Sequence, residues 1–547
     1  MGTEGCPGAK RARPTASSGK AAASEVGGGL GKRLGGILAV AAIFSAASLL
    51  AAEAYGRFAV RVIGPPSHAP PVPAVPETGL DRAVAPLTDS RPGETGLALL
   101  TDNLDAFAAR ALAARQAGRS LDLLYYQWSD DLTGRLLALD VLRAADRGVR
   151  VRVLVDDMNA PKADRLYRAL DLHPMIEVRM FNPGRNREGG IGRAVELLLR
   201  ATALNRRMHN KAWIADGRVA IAGGRNIGDA YFDAAEDGAF LDADLLAVGP
   251  IVADAARMFD AYWNSPVVIP HAALHEPDDP AASRAELDAE ALVARARPYL
   301  ARVAASDGVR ELRRGERGLH WTRAARLLAD PPAKARQRGR DGWIVHDIVA
   351  ALRSARAEVS ISSPYFVPGD AGVELLAELR ARGVETAILT NSLAATDVAV
   401  VHAGYAPYRR PLLEAGIELY ELRPRSERSD DPGLFGSGRA SLHTKAFVLD
   451  RRAGFVGSFN FDPRSANLNT EMGILFEEPG LALALRDQFA RRTAPPGRWR
   501  LFLQDGRLRW AEDDVIPPRI RSDEPKAGFG RRLIAALLGL LPIEAQL

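Results

Sequence analysis

Short apolar runs recur in two sets along this chain, in the same order each time. In the first set, Ala212-Trp213-Ile214-Ala215 is followed by Asp216-Gly217 and then by a second apolar run, Val219 to Ala222. In the second, Ala446-Phe447-Val448-Leu449 passes through Asp450-Arg451 to the run Gly454 to Val456. Each reads as strand, tight turn and strand. Upstream, Leu123 to Trp128 and Val359 to Phe366 are strand-like, and Arg147 to Val155 matches Arg382 to Thr390 at an offset of 235 residues. Each of the latter pair has a helical pattern before it and a strand within it. Strands alternating with helices twice over predict an α/β protein of two lobes, each a mixed sheet flanked by helices. We place the first lobe at residues 96–270 and the second at 341–515. Residues 271–340, rich in Ala, Arg and Glu with Pro277, Pro280, Pro331 and Pro332, read as a helical connector with solvated charges.

The ends are patterned differently. Residues 1–33 are a disordered basic lead, rich in Gly, Ala and Ser, with Lys10, Arg11, Arg13 and Lys20. Lys32-Arg33 then precedes an uncharged run from Leu34 to Ala52, 19 residues, long enough to span a hydrocarbon core as a helix. We assign 34–56 as a transmembrane anchor, with the basic side cytoplasmic and the lobes on the far side. A cleaved signal peptide, for which Ala52-Glu53-Ala54 offers a site, and a buried helix are the alternatives; the length of the run favours the anchor. Residues 57–95, with prolines from Pro65 to Pro76, read as a stiff linker. In the tail, 516–547, Arg531-Arg532 precedes an apolar segment from Leu533 to Leu541, too short to span, which either lies at a lipid interface or docks on a lobe.

Chemistry enters at the start of each hairpin. His209 and Lys211 precede Asp216 as HxKx4D, and His443 and Lys445 precede Asp450 in the same way, 234 residues later. Each copy continues to a small pair and an asparagine: Gly223-Gly224 with Asn226, and Gly457-Ser458 with Asn460. In a strand, residues two apart share a face, so His209 projects with Lys211 and His443 with Lys445. The glycines allow backbone to approach a ligand closely. An imidazole near neutrality attacks phosphorus or moves a proton, and two imidazoles can divide those tasks. Lysine and asparagine suit the equatorial oxygens of a phosphoryl transition state. Neither motif has the ligand spacing of a zinc, magnesium or calcium site, so we expect metal-independent phosphodiester chemistry without a cofactor.

The composition of the 547 residues, 47% hydrophobic and 25% charged, is globular rather than disordered. A net charge of +5 suits an anionic lipid surface or a nucleic acid without choosing between them. The single cysteine, Cys6, lies in the lead, which leaves the lobes no disulfide or thiol chemistry.

Together these residues resemble the phospholipase D superfamily, whose signature is the twin HxKx4D motif, over roughly residues 96–515. Several strings are similar to the bacterial cardiolipin synthase branch: Gly223 to Asp229 with Tyr231-Phe232, Thr390 to Asp397, His402 with Tyr405-Ala406-Pro407-Tyr408, and Asp462 to Ser465 leading to Asn469-Thr470-Glu471. The resemblance implies a ping-pong reaction through a phosphohistidine. It makes His209 the nucleophile and His443 the general acid and base, although the near-equivalence of the motifs leaves the swap open. It also implies a carboxylate for each histidine, matched here by Asp244, with Asp242 as its rival, and by Glu471. The motif aspartates Asp216 and Asp450 are implied to be structural. The site belongs in the cleft between lobes, with Tyr126, Trp128, Tyr365 and Phe366 as candidates for its rim or for strand-end packing.

The implied reaction makes cardiolipin from phosphatidylglycerol and a second phospholipid, with hydrolysis of phospholipids as one alternative and cleavage of nucleic acid as another. The expected partners are phospholipids and a membrane; the anchor and the lack of interleaved aromatic and basic residues argue against nucleic acid. The need for a small accessory protein stays open. In a bacterium the anchor implies an inner-membrane protein with its lobes on the periplasmic side.

Overall fold

The computed structural model describes residues 64–184, 204–236, 238–274, 289–424, 441–541 and 544–546, together with Gly36, Val40, residues 43–48, Leu50, Ala51 and Glu196. They fall into two compact units, one of residues 1–60 with 198–200 and the other of the remainder. In the first unit the described residues are helical, and Val40, Ile43, Phe44 and Leu50 are exposed. Among the described residues no helix is long and apolar enough to cross a membrane. The basic lead with Cys6, the Ala52-Glu53-Ala54 site and much of the expected anchor lie outside the described residues.

The second unit holds both lobes. In lobe 1 a nine-stranded sheet runs, edge to edge, through His320–Thr322, Thr95–Leu100, Asp244–Val248, Val219–Gly223, Ala212–Ala215, Ser120–Tyr125, Arg150–Asp156, Ile176–Phe181 and Val268–Pro270. Lobe 2 repeats the centre of that order in ten strands: Ala325–Ala329, Met472–Glu477, Ala453–Gly457, Lys445–Leu449, Glu358–Ser362, Glu385–Asn391, Glu418–Leu422, Arg498–Gln504, Arg507–Glu512 and Arg519–Arg521. In each lobe three consecutive strands are parallel, and the motif hairpin adds to them antiparallel.

The hairpins close with backbone in the left-handed region at both turn positions, φ 53° and 65° at Asp216 and Gly217, and φ 52° and 54° at Asp450 and Arg451. That is the turn whose twist matches the flanking strands. Each motif aspartate pins its turn to the neighbouring strand. Asp216 accepts from the amides of Gly118, Arg119 and Ser120 at 2.8–3.2 Å, and Asp450 from those of Arg356, Ala357 and Glu358 at 2.7–3.1 Å.

Helices cover the outer face of each sheet in its own apolar core. A third core joins the lobes: Ile214, Ala220, Ala222 and Leu245 of one sheet meet Ala446, Val448, Val456 and Ile474 of the other, with the helices Pro250–Trp263 and Pro479–Thr493 packed into the same cluster. This shared core brings the two motifs together.

Two expectations about the flanks are revised, and at the tail one of two alternatives is seen. The proline-rich stretch is no free spacer. Its carbonyls at Pro65, Ser67, His68 and Pro73 accept from Arg179, Arg152, Arg150 and Arg218 of lobe 1 at 2.7–3.1 Å, and a capped helix follows at Gly79–Asp89. Arg150 and Arg152, two apart on one strand, face the strap together. The connector is helical at Ala289–Ala305 and Asp307–Arg314, but it then gives one edge strand to each sheet, His320–Thr322 and Ala325–Ala329. In the tail, helix Phe529–Leu538 docks on Ala399–Tyr405 of lobe 2; Arg531 is buried and donates to the Thr396 carbonyl, while Phe529, Leu533 and Leu537 remain exposed.

Candidate active site

The two histidines are held by backbone pairing across the lobes. His209 N donates to the Thr470 carbonyl at 2.8 Å, and Thr470 N returns a bond to Arg207 at 2.9 Å. In the other direction the short strand Ser441–Leu442 pairs in parallel with Phe240–Leu241, and the amides of His443 and Thr444 donate to Leu241 at 2.9 and 3.0 Å. Each motif is therefore stitched to the segment of the opposite lobe that carries a buried carboxylate.

His209 Nδ1 lies 2.9 and 3.1 Å from the oxygens of Glu471, and His443 Nδ1 lies 2.6 Å from Asp242 Oδ2. Glu471 is supported in turn by the hydroxyls of Ser458 and Ser465, the latter at 3.0 Å. With Nδ1 committed to a carboxylate, Nε2 is the nitrogen left for chemistry on each ring. Edge-on aromatic rings fix both imidazoles: Tyr126 at 5.1 Å from His209, and Tyr231 at 5.2 Å from His443 with Phe240 tilted at 5.0 Å.

The carboxylate on His443 is Asp242, not Asp244. Asp244 is fully buried and spent on two arginines, Arg110 at 2.9 Å and Arg225 at 3.2 Å. The strand registers explain the exchange. Gly223 pairs with Asp244 as Gly457 pairs with Gly473, so Asp244 corresponds to Gly473 and Asp242, two residues earlier, corresponds to Glu471. Counting outward from the strand finds Asp242; counting onward from Asn226 does not, because lobe 1 carries extra residues there.

The small residues make room for this arrangement. A Cβ on Gly224 would sit 2.2 Å from Asp242 Oδ1, and one on Gly223 would sit 2.5 Å from the Asp244 backbone. On Gly457 it would meet the Met472 carbonyl at 2.3 Å. Ser458, the counterpart of Gly224, uses its side chain to hold Glu471.

Lys211 and Lys445 are buried and each donates to the carbonyl of its own motif histidine at 2.6 Å. Burial pulls Lys445 down to about 8 against the attraction of Asp242 and Glu471, and pulls Lys211 well below its ordinary value. Burial, then the neighbouring lysine, keeps His443 neutral down to about 4, and His209 is likewise driven well below its usual range. Burial raises Glu471 to about 7, whereas for Asp242 the pull of His443 and Lys445 outweighs burial and keeps the carboxyl ionised. Lys445 acts on His209, and Lys211 on His443, so the motifs share one electrostatic site.

Asn226 donates to the Tyr231 hydroxyl at 2.8 Å, and its Oδ1, like that of Asn460, is buried without a partner among the described residues. Rotating either amide by half a turn presents an N–H to the same space, where a phosphoryl oxygen would accept it. Of the four candidate rim aromatics, Tyr126 packs on His209, Tyr365 packs against the lobe 2 core with its hydroxyl on Asp397, and Trp128 and Phe366 are core. Tyr231, Phe240 and Ser465 are site residues that sequence spacing alone did not place, and Asp242, the rival of Asp244, takes its place on His443. Among the described residues no group of three or more His, Cys, Asp or Glu side chains is arranged to hold a metal ion.

Comparison with known proteins identifies the relatives of this chain. Residues 113–263 and 348–493 match a family described as cardiolipin synthase, PLD-like domain. The chain is 44% identical to cardiolipin synthase C of Escherichia coli strain K12 over 85% of its own length and 99% of that protein's. It is 26% identical to cardiolipin synthase A of Pseudomonas syringae pv. syringae over 69% of this chain and 64% of that one. In fold it resembles the crystal structure of phosphatidylserine synthase from Haemophilus influenzae Rd KW20, with a TM-score of 0.54 at 13% identity, covering 86% of this chain and all of that one.

Proposed function

Because the chain belongs to the cardiolipin synthase family of proteins with paired PLD-like domains, we propose that its cleft transfers a phosphatidyl group between phospholipids, making cardiolipin from phosphatidylglycerol and a second phospholipid. The observation that carries this reading is the pair of buried imidazoles, each bonded through Nδ1 to a carboxylate of the opposite lobe.

Nε2 of His209 attacks the phosphorus of the donor lipid. The new N–P bond forms as the P–O bond to the head-group alcohol breaks, and the departing oxygen takes a proton from the imidazolium form of His443, which the negative charge of a bound phosphodiester beside the ring favours over the neutral form of the free enzyme. The incoming lipid's hydroxyl then gives its proton to His443 while its oxygen bonds to phosphorus and the N–P bond breaks, restoring both histidines. Glu471 keeps His209 in the tautomer whose Nε2 lone pair is available, and Asp242 stabilises the imidazolium of His443. Lys211, Lys445, Asn226 and Asn460 surround the place where phosphoryl charge develops, which is the main lever available for such a transition state.

The substrates are bilayer lipids, and the protein works in association with a membrane. The uncharged run Leu34 to Ala52 behind Lys32-Arg33 supports an anchor with the lobes on the periplasmic side.

Purified protein in phosphatidylglycerol vesicles tests the proposal. Cardiolipin and free glycerol should form in equal amounts with wild type and be absent with His209→Ala. Phosphatidic acid in place of cardiolipin would assign hydrolysis instead.

A further inference from the structure

One carboxylate on the His443 side of the cleft holds no histidine. Asp397 ends the segment that leaves the strand Glu385–Asn391, and both ends of that segment are fixed on the catalytic machinery. At its start, the Asn391 side chain donates to the carbonyl of Leu442 and accepts from its amide, both at 2.9 Å, directly before His443. At its end, the Tyr365 hydroxyl donates to the two Asp397 oxygens at 3.0 and 2.9 Å. Tyr365 itself is set by Ser363, whose hydroxyl donates to the Tyr365 carbonyl at 2.6 Å and accepts from the amide of Phe461, next to Asn460, at 3.1 Å. Asp397 is half-buried, and its charge is felt by Lys445 and by Tyr231, the ring that packs on His443.

Among the described residues Tyr365 is the hydrogen-bond donor to this carboxylate, which has room for about four. A negative group beside a phosphate cleft repels the phosphate, so its use lies with a different part of the substrate. The neighbouring buried Lys445, on which Asp397 already acts, disfavours a second ammonium group there, which leaves an uncharged hydroxyl. His443 is where a head-group alcohol leaves and enters, and Asp397 stands on that side.

We propose that Asp397, oriented by Tyr365, selects polyol head groups by accepting a hydrogen bond from a hydroxyl adjacent to the one that reacts at His443. This rests on the phosphatidyl-transfer reading above. The adjacent hydroxyl is bound and not consumed: only the reacting oxygen gains a bond to phosphorus and loses its proton to His443. Asp397→Asn keeps the shape and the Tyr365 bond but removes the charge.

The test supplies phosphatidylglycerol vesicles with deuterated glycerol and 1-propanol together and measures both phosphatidyl products. The product ratio is independent of how much enzyme is folded. Wild type should favour glycerol. Asp397→Asn should lower the glycerol-to-propanol ratio about tenfold, the effect of one hydrogen bond to a charged group, and Tyr365→Phe should shift it the same way by less. If wild type phosphatidylates neither alcohol, the transfer reading fails and this inference with it. If wild type phosphatidylates both and Asp397→Asn leaves the ratio unchanged, the Asp397 assignment is overturned while the transfer reading stands.

Discussion

Asp242 of the first lobe lies 2.6 Å from Nδ1 of His443 in the second. The reciprocal contact, Glu471 of the second lobe on His209 of the first, makes neither half of the repeat complete without the other.

Exchanging the two candidate aspartates for their amides separates chemistry from support. Asp242→Asn should lower kcat about 100-fold with little change in thermal midpoint, as for an orienting carboxylate behind a working histidine. Asp244→Asn should cost about 3 kcal/mol of stability, because Arg110 and Arg225 are left buried against a neutral group. Its folded fraction should keep near-normal kcat. Steady-state kinetics and thermal unfolding of the two variants read both effects.

The site should work best in a narrow window. Glu471, raised to about 7, is protonated below that pH and no longer polarises His209; Lys445, lowered to about 8, loses its charge above that pH. A plot of kcat/KM against pH should be bell-shaped with its maximum between those values, and Lys445→Arg should extend the alkaline limb. For stability Glu471 acts in the opposite sense: raised from 4.5 to about 7, it favours the fold most below 4.5 and that contribution is lost as pH climbs through 7.

Gly224→Ala should act through Asp242. The added methyl carbon falls 2.2 Å from Asp242 Oδ1, so the carboxylate must leave His443. Activity should drop to near that of Asp242→Asn, and combining the two substitutions should cost little more than either alone, measured as a double-mutant cycle on kcat.

The motif aspartates should differ from each other despite identical roles. Asp216 is buried with three backbone amides bonded to it, whereas the matching amides of Arg356 and Ala357 at Asp450 are exposed. Asp216→Ala should destabilise by about 3 kcal/mol and Asp450→Ala by about 1 kcal/mol, since water replaces the lost acceptor at the second site. Denaturant unfolding gives both numbers.

Much of this molecule is legible before folding because its chemistry is local. His209 with Lys211 and His443 with Lys445 sit at fixed spacing on one strand face, and the hairpins that follow announce themselves by two apolar runs around Asp216-Gly217 and Asp450-Arg451. The sequence favours Asp244 over its rival Asp242 for a reason equally physical. The partner of His443 is chosen by strand register and by a cross-lobe bridge, and neither is written into the distance from Asn226. Arg110, far away in sequence, is what commits Asp244 elsewhere. The strap from Pro65 to Pro73 reads as a spacer because proline composition reports stiffness, not the arginines that meet its carbonyls. The edge strands at His320 and Ala325 are three and five residues long, too short to carry a readable period.

The most direct test of a single site shared by two lobes is to catch its intermediate. Wild-type enzyme turning over phosphatidylglycerol should be quenched rapidly in alkali and its peptides read by mass spectrometry. A phosphatidyl adduct on the His209 peptide is the predicted result; an adduct on His443, or cardiolipin made with no adduct on either histidine, would contradict the account.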